Sequence, residues 1–192
     1  MIIVRAKSLQ TLIVAVLCVV SLTACSTIAT SGVIESQVAP NGVPNFQEVG
    51  PGVYRGGQPT TEGWVYLQKK GIKTVIKLDL ASEGSDDEAV ALGMVVVDAS
   101  GPPADLTNFL EAPKPERIRL AVQTLENESL RPIYVHCLHG QDRTGLVIGL
   151  YRVLHDHKTK SEAYEEMRKN GFHVVFLGLL KVWEDFDGKT LP

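Results

Sequence analysis

The chain has 192 residues, 44% of them hydrophobic and 21% charged, enough to bury one good core, and it carries no internal repeat or low-complexity tract. A formal charge of −3 spread over a mildly acidic body gives no support to nucleic-acid binding. Three cysteines, one of them inside an apolar N-terminal run, are too few for a disulfide framework of several bridges.

At the N-terminus, Arg5 and Lys7 precede an acid-free apolar stretch, LIVAVLCVVSL, that ends in LTAC. A basic start, a short apolar run and small residues before a cysteine describe an export signal, and the run is shorter than the ~20 residues of a membrane span. Leu22-Thr23-Ala24-Cys25 resembles the bacterial lipobox, which implies cleavage before Cys25 and lipidation of that residue. An ordinary cleaved signal and an uncleaved anchor are the alternatives. The expected organisation is a lipoprotein signal over 1–24, a tether over 25–45 that is small, polar and punctuated by Pro40 and Pro44, and a folded domain over 46–192. The exported protein would then be lipid-anchored in the cell envelope, with the membrane a partner through that lipid. Losing the signal takes the formal charge from −3 to −5 and leaves Cys137 as the one free thiol.

Along the domain, strand signals at Val53–Arg55, Thr74–Leu78, Met94–Val97 and Ile133–His136 alternate with helical stretches, the pattern of an α/β sheet covered by helices. TTEGWVYLQKKG begins with a Thr cap and ends at Gly71. PERIRLAVQTLENE carries Pro115 in its first turn and Ile118, Val122 and Leu125 on one face, and Ser161 and Gly171 bracket another helix. Trp64, Tyr66, Phe176 and Trp183 read as core packing. His155 and His157, flanking Asp156 after a helix, read as a charged turn.

The chemistry concentrates in HCLHGQDRTG, from His136 to Gly145, which follows a short interior strand and precedes the apolar helix TGLVIGLYRVL. Gly140 lets the backbone turn so that successive N–H groups point into one concavity, a nest that binds an anion. The helix beginning near Arg143 or Thr144 aims its positive end at the same point. The Arg143 fork matches two oxygens of a phosphate. The same field stabilises a thiolate, so Cys137 is expected to be nucleophilic at neutral pH, with Thr144 hydrogen-bonding the sulfur and easing its departure.

His136-Cys137-x-x-Gly140-x-x-Arg143-Thr144-Gly145 resembles the His-Cys-x5-Arg-Ser/Thr-Gly signature of the cysteine-dependent protein tyrosine and dual-specificity phosphatases. VYRGGQPT (53–60) is similar to the opening strand and turn of small dual-specificity enzymes, GIKTVIKLDL and GMVVVDAS to their next core strands, and SEAYEEMRKNG to the late helix of the plant-and-fungal atypical branch. The likeness runs from Phe46 to about Phe186. It implies a small dual-specificity-phosphatase-like α/β fold with a central twisted sheet flanked by helices, and phosphomonoester hydrolysis through a phosphocysteine on Cys137. Residues 138–143 (Leu138, His139, Gly140, Gln141, Asp142 and Arg143) would bind the substrate phosphate, His136 would support the loop and the thiolate, and no metal or other cofactor is expected.

The leaving oxygen needs a proton, which the family takes from an aspartic acid on a loop roughly thirty residues before the cysteine. Asp105, thirty-two residues before Cys137 and just after SGPPA, fits that spacing. Capping of a turn in DLTN is its structural alternative, and Asp98 and Asp142 are the other acid candidates. His139 reads equally as a rim charge or a solvated loop histidine. A metal reading of His136, Cys137 and His139 lacks a fourth ligand at a recognisable spacing. The five-residue loop contains no lysine, which favours a phosphorylated protein or small phosphomonoester over an inositol polyphosphate, although Lys69, Lys70, Lys73 and Lys77 could reach the rim from elsewhere. A phosphate-binding pseudoenzyme and a sulfur-transfer or arsenate-reducing enzyme are the alternatives from other classes.

Overall fold

The computed structural model describes residues 41–102 and 109–192. Five strands form one sheet: β1 (Gln47–Gly50), β2 (Val53–Gly57), β3 (Thr74–Lys77), β4 (Val95–Asp98) and β5 (Ile133–Cys137), in the spatial order β1-β2-β5-β3-β4. Only the β1–β2 pair is antiparallel; β2, β5, β3 and β4 run parallel, which places β5 at the centre and its C-terminal end among three other strand ends. In such sheets ligands bind beyond the carboxyl ends of the strands.

The strand period of two divides the apolar residues between two faces. Val75 and Tyr134 face helix α1 (Thr61–Lys69) and the five-residue α2 (Asp87–Ala91), joining Trp64, Leu67 and Ala89 in one buried cluster. Ile76, Ile133 and Val135 face the other way, into a larger cluster with α3 (Pro115–Glu126), α4 (Asp142–Leu154), α5 (Lys160–Lys169) and α6 (Leu177–Asp185). Each fully buried Leu, Ile or Val contributes on the order of 1.5–3 kcal/mol. Helix α4 is buried along almost its whole length, because it packs between the sheet and the outer helices. That is why its sequence is apolar all round rather than striped.

Local signals set the helix ends. The Thr60 hydroxyl accepts from the Gly63 amide at 3.2 Å and starts α1, and Gly71 ends that turn with a φ of +83°. Thr159 and Glu162 form a reciprocal capping box at the start of α5. Trp64 and Trp183 are core residues as expected.

Two boundaries differ from the sequence reading. Residues 41–45, expected as tether, belong to the domain: Val43 is fully buried, the Pro44 carbonyl accepts from the Gly57 amide at 2.7 Å, and the Gly42 carbonyl accepts from Thr60 at 2.9 Å. Pro44, one of the two prolines that suggested a spacer, instead lies in a packed turn, and Pro40 lies outside the described residues. Strand β4 starts at Val95 rather than Met94, because the Met94 amide donates to the Ala89 carbonyl and closes α2. Strand β1 and helices α2 and α6 had no expectation of their own; each is short, and β1 is an edge strand without a long alternating pattern. Among the described residues no helix is long and apolar enough to cross a membrane.

Candidate active site

Cys137 is the last residue of β5 and is buried, 2% exposed, facing α4. His136, one residue earlier, points to the opposite face, where its ring lies edge-on to Trp64 with centroids 5.8 Å apart. The alternation that buries both residues thereby prevents them from ligating one ion. Among the described residues no cluster of His, Cys, Asp or Glu has the arrangement to hold a metal.

His136 is held by a charge network that the sequence did not reveal. Its Nε2 lies 3.0 Å from Asp86 Oδ2 and its Nδ1 faces Asp79 Oδ1 at 3.5 Å, while Lys77 Nζ pairs with Asp79 at 3.3 Å and Asp86 at 3.2 Å. Burial opposes the Asp86 charge, but the His136 hydrogen bond and Lys77 outweigh it and hold the carboxyl below its ordinary value. The network fixes the ring on the face of β5 opposite Cys137.

The loop from Leu138 to Gln141 turns at Gly140, whose φ is +69°. A Cβ there would sit 2.6 Å from the Gly57 amide nitrogen and closer still to the Gly56 carbonyl, so the position requires glycine twice over: for its dihedral and for the close approach of β2. The following helix starts at Asp142, one or two residues ahead of the expected start near Arg143 or Thr144, and its N-terminal turn faces the loop.

Arg143 is buried and makes a fork to Glu83, Nη1 to Oε2 at 2.7 Å and Nη2 to Oε1 at 2.8 Å. Burial works against its charge, but the Glu83 hydrogen bonds and the field of Cys137 prevail and raise the guanidinium pKa. Glu83 uses the end of the fork, and the Nε–H on its side edge has no hydrogen-bond partner among the described residues. An edge of Nε–H and Nη2–H is the second face on which a guanidinium can take two phosphate oxygens. Glu83 was not singled out from the sequence, because its role depends on a fold that brings together residues sixty apart.

The Thr144 hydroxyl is buried and likewise has no partner among the described residues, so the expected hydrogen bond to Cys137 is not formed here. Asp142, expected among the phosphate-binding residues, contributes no side chain to the cradle. Its Oδ1 accepts from the His173 amide at 2.7 Å and meets the His173 ring at 3.1 Å, and burial raises its pKa. Gln141 packs its side chain beside Gly171, while His139 is exposed at the rim. Asp98 is poorly suited to proton donation: the Ser100 hydroxyl bonds its carboxylate at 2.5 Å and holds its pKa down. Asp105 and Cys25 lie outside the described residues.

The rim lysines are corrected by the topology. Lys69, Lys70 and Lys73 end α1 or precede β3, at the N-terminal edge of the sheet away from the loop, and Lys70 sits over the Tyr54 ring at 5.0 Å. Lys77 is buried in the His136 network.

A parallel-sheet strand that delivers a cysteine into a glycine-turned loop at a helix N-terminus defines an α/β domain of the dual-specificity phosphatase type. A family profile described as a DSP-PTPase phosphatase fused to NAD+ kinase matches residues 38–175, and the chain belongs to that family. The dual specificity protein phosphatase TpbA of Pseudomonas aeruginosa (strain UCBPP-PA14) is 30% identical over 128 residues, 67% of this chain and 55% of that protein. The inositol diphosphatase DSP2 of Oryza sativa subsp. japonica is 27% identical over 116 residues, 57% of this chain and 54% of that one. The chain thus spans about half the length of these curated relatives. The core catalytic domain of the PP-IP phosphatase SIW14 from S. cerevisiae, solved with citrate, shares the fold with a TM-score of 0.63 at 19% identity, over 75% of this chain and 86% of that one.

Proposed function

We propose that the protein is a cysteine-dependent phosphomonoester hydrolase of the protein tyrosine and dual-specificity type. Cys137 Sγ attacks phosphorus as the ester P–O bond breaks, and the leaving oxygen takes a proton from Asp105. Water then cleaves the P–S bond of the phosphocysteine, releasing inorganic phosphate and the thiolate, to which the Thr144 hydroxyl donates. Arg143 presents its Nε edge to the phosphoryl oxygens while Glu83 holds the other side. The observation that carries this reading is the clamped guanidinium with an uncommitted buried edge, on the helix turn that follows the cysteine loop. The assignment of Asp105 is supported by the commitments of its rivals, Asp98 to Ser100 and Asp142 to His173.

The substrate is a phosphotyrosine peptide or a small monoester rather than an inositol polyphosphate. Support comes from a lysine-free loop and from lysines that lie at the far sheet edge or are neutralised in the interior. The inositol diphosphatase among the relatives keeps the second substrate class as the alternative. The N-terminal pattern ending at Cys25 supports a lipid-anchored envelope location.

Phosphate release from a phosphotyrosine peptide and an inositol polyphosphate, measured side by side, tests the proposal. Turnover of the peptide that Cys137→Ser abolishes and Asp105→Asn slows is expected. A well-folded protein that turns over neither substrate refutes it, and preferential turnover of the polyphosphate refutes the substrate assignment.

A further inference from the structure

Three consecutive carbonyls of the cysteine loop are held from outside by one short stretch of chain. The Gln58 amide donates to the Leu138 carbonyl at 3.0 Å, Asn45 Nδ2 to His139 at 2.7 Å and Arg55 Nη2 to Gly140 at 2.8 Å. A trans peptide points its N–H opposite its C=O. Pinning these oxygens outward therefore turns the amides of His139, Gly140 and Gln141 away from residues 45–58.

Arg55 is an expensive way to fill a strand. It is 1% exposed, its Nε and Nη1 have no partner among the described residues, and its Nη2 donates to a neutral carbonyl, that of Gly140. Burial lowers its pKa, and the largest opposing influence is the charge of Cys137. A residue needed only for packing at this place would be apolar, since a buried cation without a carboxylate destabilises the fold. The two glycines that follow explain how the loop comes within reach: a Cβ on Gly57 would sit 2.9 Å from the Leu138 carbonyl oxygen and 3.0 Å from the His139 carbonyl carbon.

We propose that Asn45 and Arg55 are positioning residues of the phosphate loop, holding the His139 and Gly140 carbonyls outward so that the next amides are fixed toward a bound phosphoryl group. This role rests on the phosphatase reading, because it assigns the loop a phosphoryl ligand. It accounts for the Arg-Gly-Gly of β2 and for the packing of residues 41–45 against the domain.

The test is orthovanadate inhibition, together with kcat and KM for p-nitrophenyl phosphate, on the full chain and on Asn45→Ala, Arg55→Gln and Arg55→Lys, each checked for folding by thermal melting. Loss of a neutral hydrogen bond is expected to weaken vanadate inhibition about three- to tenfold in Asn45→Ala. Loss of the charged one is expected to weaken it about ten- to a hundredfold in Arg55→Gln, with Arg55→Lys recovering most of the loss. kcat/KM falls in step. Wild-type vanadate inhibition in folded Asn45→Ala or folded Arg55→Gln, even with a lowered melting temperature, overturns the role of that residue. If Arg55→Gln fails to fold, Asn45→Ala alone decides. A wild-type protein that neither binds vanadate nor hydrolyses the ester rejects the phosphatase reading instead.

Discussion

Gly140 and Gly71 make a matched pair for testing how tightly the loop is built. Both have positive φ, +69° and +83°, so alanine at either position incurs the left-handed penalty of about 1–2 kcal/mol. At Gly71 a Cβ meets nothing within 4 Å, and the penalty ends there. At Gly140 the Cβ would lie 2.6 Å from the Gly57 nitrogen and nearer still to the Gly56 carbonyl, backbone against backbone, with no flexible side chain able to yield. The loop must then move outward. Overlap of this kind adds roughly 1–3 kcal/mol, so Gly140→Ala is expected to cost about 2–5 kcal/mol in total. A displacement of about 1 Å in a phosphate-binding loop lowers kcat/KM on the order of a hundredfold. Denaturant unfolding and kcat/KM for p-nitrophenyl phosphate on both variants measure the two effects. Gly71→Ala is expected to lose stability with unchanged turnover, and Gly140→Ala to lose more stability and nearly all activity. Equal destabilisation of the two, with turnover retained in Gly140→Ala, would refute the close packing of β2 beneath the loop.

Glu83→Gln replaces a charged fork by a neutral one; with Arg143 less firmly aimed, kcat is expected to drop about tenfold or more, and an unchanged kcat in folded protein counts against the clamp. Because the Asp86 carboxyl is held below its ordinary value, its contribution to stability is fully present above about pH 4 and is lost as pH falls through the lowered native value. Urea midpoints measured from pH 7 down to pH 2.5 are therefore expected to fall more steeply at the acid end in the wild type than in Asp86→Asn, and parallel curves would contradict the network. Asp98→Asn, which removes a carboxylate already committed to Ser100, is expected to leave kcat within about threefold of the wild type; a drop as large as that of Asp105→Asn would move the acid assignment to Asp98.

What the sequence determined by itself was local. Four of the five strands, the Thr60 cap of α1, the Pro115 start of α3 and the strand-loop-helix around Cys137 all follow from periodicity and punctuation that act within about ten residues. The loop signature pointed to the family because Cys137, the Gly140 turn and Arg143 fall within one short segment. The tertiary structure decided everything that depends on residues distant in the chain. It placed Glu83 on Arg143, Asp86 and Asp79 on His136, Asn45 and Arg55 on the loop carbonyls, and His173 on Asp142. It also took Lys69, Lys70 and Lys73 away from the rim, since the parallel sheet puts the end of α1 and the start of β3 at the edge opposite the cysteine, and it committed Lys77 to Asp79 and Asp86. The physical reason is that a buried charge is stable only with a partner, and which partner it meets is set by strand order and helix packing, on which the spacing of acidic and basic letters along the chain carries no information.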